Sequence, residues 1–211
     1  MGDHPAPTLD HERFLEALTA FLDHVMPACD RVEYRLVGTG AALLHGVSLP
    51  AADIDILARA RGGVDAFVAA LSPFRCLEAP AWLACSRQYY ANYEVKGVEV
   101  GISTVEVDSA VDTRETFGLG PWERFSLMPC GRHAVPTVAL ELRLVTELIR
   151  SRPDRSEPLV RHMQRHGCDL GFLRRCLEEA EIPQPMRIEV LGRLGEKSGP
   201  ARGQIPSTMV D

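Results

Sequence analysis

The stretch from Val37 to Leu57, VGTGAALLHGVSLPAADIDIL, constrains this chain more than any other. It opens with a glycine-bracketed threonine, Gly38-Thr39-Gly40, continues through a short apolar helix at about Ala41 to His45 and a loop holding Pro50, and ends on a strand from about Asp53 to Ala58. Aspartate is depleted in strands, so Asp53 and Asp55 demand a reason. Alternation along the strand puts both carboxylates on one face and turns Ile54 and Ile56 to the core. Two carboxylates about 7 Å apart repel by roughly 2 kcal/mol at an effective dielectric near 20. A divalent cation reverses that penalty, and oxygen ligands of this kind suit magnesium, which takes one or two carboxylates and completes its shell with waters and phosphates. At the other end, a glycine turn leading from a strand into a helix presents backbone N–H groups to anions and lets them approach closely. The two ends together predict one site for a metal-bound polyphosphate, with Asp53 and Asp55 on the metal and Gly38, Thr39 and Gly40 on the phosphates.

The surrounding pattern predicts an α/β (α+β) fold: a mixed sheet with flanking helices and a C-terminal helical lobe. Phe14, Leu15, Leu18, Phe21, Leu22, Val25 and Met26 form one helical stripe that Pro27 helps to end. A strand follows at Val32 to Val37, and a helix carrying Val64, Phe67, Val68 and Leu71 lies beyond Asp53 to Ala58. Tyr89 to Val95 and Val98 to Val107 read as two strands joined by a Lys96-Gly97 turn. From Thr137 the period becomes helical, with Ala139, Leu142, Val145 and Leu148 on one stripe. SRPDRSEP reads as a turn, and the remainder as helix, glycine break, helix and a last short helix from Pro185 to about Leu194. The expected organisation is a mobile tail at 1–8, an α/β domain at 9–135, a helical lobe at 136–194 and a mobile tail at 195–211.

The formal net charge of −6 argues against a protein that coats nucleic acid, since such binding rests on many Lys and Arg contacts to phosphates. Six scattered cysteines without a C-x-x-C pair suggest neither a zinc ribbon nor a disulfide scaffold. The N-terminus lacks the basic and apolar regions of a signal peptide, and no apolar run is long enough to span a membrane. A cytoplasmic protein with reduced thiols is expected.

The Gly38-Thr39 turn, the short ALLHG helix and Asp53-Ile54-Asp55 resemble the DNA polymerase β-like nucleotidyltransferases, particularly the small bacterial group with toxin-like and antibiotic-modifying members. The resemblance runs over about Tyr34 to Leu57. It implies transfer of a nucleoside monophosphate from a nucleoside triphosphate to a hydroxyl on a small molecule, a protein or an RNA end, with up to two magnesium ions on the aspartates and pyrophosphate leaving. It also implies a third carboxylate on a neighbouring strand. Glu99 in VKGVEVGIS has a suitable alternating position, Glu94 and Glu106 are alternatives, and in some relatives the acid falls at the position of Gly101. The segment before the aspartates, VSLPAAD, lacks the Arg and Thr often found there. A second functional class is a binding module of the same fold, retaining nucleotide or protein-partner binding without turnover.

Other features have plainer explanations. Gly38-Thr39-Gly40 as a dinucleotide fingerprint fails at Leu43, where the third glycine would stand, and the first helix is too short for that crossover. His45 reads as a packed histidine, and His162 and His166, spaced i, i+4 without a third ligand, as a solvated helix face. Tyr89, Tyr90 and Tyr93 read as sheet packing. Arg152, Arg155, Arg161, Arg165, Arg174 and Arg175 read as surface charge, unless the helical lobe turns some of them toward a triphosphate.

Overall fold

The computed structural model describes residues 9–106, 114–116 and 120–195. Its elements are α1 (His11–Cys29), β1 (Tyr34–Val37), α2 (Gly38–Leu44), β2 (Asp53–Ala58), α3 (Arg61–Ala70), β3 (Arg75–Leu83), β4 (Gln88–Val95), β5 (Val98–Val105), α4 (Gly120–Glu123), β6 (Phe125–Cys130), β7 (His133–Val138), α5 (Leu140–Ile149), α6 (Pro153–His166), α7 (Leu170–Glu179) and α8 (Gln184–Gly195). The seven strands form one mixed sheet in the order β3-β4-β5-β2-β1-β7-β6. β2 runs antiparallel to β1 and parallel to β5, which places the aspartate strand at the middle of the sheet.

The two sheet faces differ in chemistry. Ile54, Ile56, Val100 and Ile102 are fully buried on one face, where α1 and α3 cover the sheet and Phe21 meets Phe67 with ring centroids 5.9 Å apart. Burying a side chain of this size contributes about 1.5–3 kcal/mol, so this face is where the fold draws much of its stability. On the other face, the register sets Asp53 opposite Glu99 and Asp55 opposite Gly101, with Asn92 and Tyr90 next on β4. That polar face is free to build a site.

Several boundaries differ from expectation. The helical lobe does not begin at 136: β7 continues through Val138, and α5 starts at Leu140. The hairpin β6–β7 carries Pro129 on the edge strand β6 and Pro136 on its neighbour β7, residues that argue against strands in a sequence. SRPDRSEP is not a turn; Pro153 occupies the first helical position of α6, where its missing N–H costs nothing and its fixed φ suits the helix. Edge strand β3 is mostly exposed and shows no two-residue alternation, so its sequence carries no strand signal. The Lys96-Gly97 turn forms as expected, with φ of 54° and 72°, joining β4 to β5. The tails expected at 1–8 and 195–211 lie outside the described residues, apart from Gly195. Among the described residues no helix is long and apolar enough to cross a membrane.

Candidate active site

β1 ends at Val37, whose Cα partner on β2 is Asp55, so the turn into α2 opens directly beside the aspartates. Gly38 makes that turn with φ +71°, and a Cβ there would overlap the Asp55 carboxylate. No other residue combines this backbone conformation with so close an approach. Gly38, Thr39, Asp53 and Asp55 all line one cavity of about 770 Å³. Both aspartates stand beside the glycine turn.

Gly40 lies apart from this cavity. It faces away from the cavity, where an added Cβ would meet the Phe14 ring at 2.8 Å, so its role is close packing of α2 on α1. Glu99 lies apart from it too. Its carboxylate accepts a hydrogen bond from Asn92 Nδ2 at 3.0 Å and does not line the cavity. Glu94 pairs with Arg75, and Glu106 makes a two-point contact with Arg61. Among the described residues no group of three acids, cysteines or histidines stands close enough to share an ion. The position opposite Asp55 on β5 is Gly101, and Tyr90 fills the space a side chain would enter, its hydroxyl 3.2 Å from where a Cβ would lie.

The opposite wall comes from the helical half. Arg143 on α5 is 1% exposed and contacts Glu115 and Glu147 through two charge-assisted hydrogen bonds, and its Nη2 donates to Thr39 Oγ1 at 3.3 Å. Arg155 Nη1 on α6 donates to the same hydroxyl at 3.1 Å. Arg150 and Arg114 line the cavity too, the latter bonded to the Glu179 carbonyl at the end of α7. Arg155 therefore faces the site, whereas exposed Arg152 pairs with Asp154 and Arg161 and Arg165 are exposed and do not line the cavity. A mixed neutral wall, with Ser86, Gln88, Tyr90 and Ser103 among its residues, completes the enclosure.

These charges interact strongly. Burial, reinforced by Asp53 and Glu115, raises Asp55 to about 7. Asp53 is raised as well, by burial and then Glu99, against the pull of Arg155 and Arg143. Burial opposes the charge of Arg143, but Glu115 and Glu147 outweigh it and hold its pKa above the ordinary value. Tyr90 is pushed up to about 12 by burial and by the acids near it, so its hydroxyl is protonated at neutral pH. His45 Nε2 donates a hydrogen bond to the Val138 carbonyl at 3.1 Å, and its imidazole is depressed by burial, in keeping with a packed histidine.

No family model and no curated protein matches the chain. Among solved structures, a crystal structure described as a "putative nucleotidyltransferase" from Thermotoga maritima superposes with a TM-score of 0.53 at 17% identity, covering 77% of this chain and 99% of that one. The fold is nucleotidyltransferase-like. At this identity the likeness carries the fold alone.

Proposed function

We propose that the cavity binds a magnesium–nucleoside triphosphate complex and transfers the nucleoside monophosphate to a hydroxyl acceptor, with pyrophosphate leaving. The observation that carries this is the opposition of two repelling, half-buried carboxylates, Asp53 and Asp55, to a wall holding Arg143, Arg150 and Arg155 across the Gly38-Thr39 turn. The donor set suits magnesium: two carboxylates whose proton affinity is raised by mutual repulsion and burial gain from a cation between them. Asp53 and Asp55 would hold it, and when bound it supplies charge neutralisation and alignment of the phosphates.

The chain's own residues do the rest. Arg155 and Arg150 neutralise phosphate oxygens, and Thr39, fixed by Arg143 and Arg155, orients the polyphosphate beside the Gly38 N–H. Such positioning and preorganised charge supply most of the catalysis in phosphoryl-type transfers. The acceptor hydroxyl attacks the α-phosphorus in line and gives up its proton to solvent water, while the bond from the α-phosphorus to the oxygen it shares with the β-phosphate breaks and pyrophosphate leaves. The test is incubation with each α-labelled triphosphate, magnesium and a panel of hydroxyl acceptors, following label transfer by mass and pyrophosphate release.

A second function, a nucleotide-binding module without turnover, is favoured by one observation: Gly101 and the Tyr90 ring stand where a third carboxylate would reach Asp55. Magnesium–triphosphate binding without pyrophosphate release, with every acceptor tried, would establish that alternative.

A further inference from the structure

We infer that Glu115 is an internal anionic occupant of the phosphate cradle, a carboxylate that an incoming polyphosphate must displace, so that it sets the threshold for which anions the cavity accepts. This rests on the cavity being a triphosphate site. The Glu115 side chain is 2% exposed, and each of its oxygens engages a donor of the phosphate wall. Oε2 accepts from the Gly38 backbone N–H at 3.3 Å, and Oε1 accepts from Arg143 Nη1. Two oxygens on one carbon thereby take up donors that two oxygens on one phosphorus would use.

Glu115 is held there by Arg143 and the Gly38 N–H, against the repulsion of a neighbouring carboxylate. Its charge raises Asp55, which already faces Asp53. Arg143, by contrast, has a second carboxylate partner in the fully buried Glu147, whose other oxygen has no hydrogen-bond partner among the described residues. Loss of Glu115 would leave Arg143 compensated and turned to the cavity, with Thr39 still bound at 3.3 Å.

The consequence is selectivity by charge number. A single phosphate would exchange one anion for another at Arg143 and gain little. A triphosphate reaches Arg143, Arg150 and Arg155 together and, with a cation, relieves the repulsion at Asp55 as well, so only a polyanion repays the displacement.

Calorimetric titration of the full chain with inorganic phosphate, pyrophosphate and triphosphate, each with magnesium, tests this on wild type, Glu115→Gln and Glu115→Ala, with circular dichroism confirming the fold. Both variants are expected to bind all three anions more tightly, by about tenfold, with the greatest proportional gain for phosphate. Unchanged or weaker binding in folded variants would overturn the inference and make Glu115 a support for Arg143 instead. Wild type binding magnesium–ATP with no change in the variants would defeat this inference and leave the triphosphate site standing. Failure of wild type and variants alike to bind any of the anions or magnesium–ATP would defeat both.

Discussion

Asparagine at position 55 is expected to stabilise the metal-free protein at pH 8. Asp55 is raised from 3.8 to about 7, so the unfolded chain gives up this proton well before the folded one does. As pH climbs from about 4 to about 7 the native state binds the extra proton, and stability falls with rising pH through that window. Three pH units at 1.36 kcal/mol each give an upper limit of about 4 kcal/mol. Part of the Asp55 surface stays open to the cavity, and solvent screening reduces the expected gain for Asp55→Asn to about 2 kcal/mol. For a domain of this size that is a rise of about 4–8 °C in Tm. Thermal melts of wild type and Asp55→Asn from pH 4 to pH 8, in a chelating buffer, should show curves that coincide near pH 4 and separate progressively to pH 7. A variant that melts at or below wild type at pH 8 would refute the charge argument. So would a gap of equal size at every pH, which would mean that a hydrogen bond and not ionisation is responsible.

Further outcomes follow from the same geometry. Arg143→Met should destabilise the fold by about 3–5 kcal/mol, because Glu115 and Glu147 would be left buried without their cation; urea denaturation measures it. Gly38→Ala should cost about 2 kcal/mol or more in the same assay, from the left-handed backbone and the overlap with Asp55. Arg155→Ala should lower magnesium–triphosphate affinity about tenfold while leaving the melting curve within a few degrees of wild type, since the side chain is only partly buried and its contacts face the cavity. Glu99→Gln should change that affinity less than about threefold, because the Glu99 carboxylate is spent on Asn92 outside the cavity; a large loss would return it to the site.

The part of the site that lies on consecutive secondary structure was legible in the sequence. Alternation on a strand fixed the common face of Asp53 and Asp55, and a glycine turn fifteen residues upstream of the first aspartate had to come back beside it once β1 and β2 paired antiparallel. The third carboxylate was not legible, because side-chain alternation cannot set the register between β2 and β5. Only the pairing of Asp55 with Gly101 shows that Glu99 stands level with Asp53 and leans toward Asn92. Arg143 was hidden differently. Buried residues in α5 run continuously from Leu142 to Glu147, so the apolar stripe seen in the sequence described only part of a helix buried nearly all round. The available signal was the i, i+4 pair Arg143 and Glu147 among the leucines of α5, a spacing that brings opposite charges into contact. Glu115 had no such signal; its contacts with Gly38 and Arg143 span 77 and 28 residues and exist only in the folded chain.

The central claim is that Asp53 and Asp55 hold a magnesium–triphosphate complex against the arginine wall. Calorimetric titration with a non-hydrolysable nucleoside triphosphate, with and without magnesium, measures this on wild type, Asp53→Asn and Asp55→Asn. Binding by wild type that depends on magnesium, and its loss by a factor of about ten or more in each folded variant, is the predicted result. Magnesium-independent binding, unchanged affinity in the variants, or no binding by the folded wild type would contradict it.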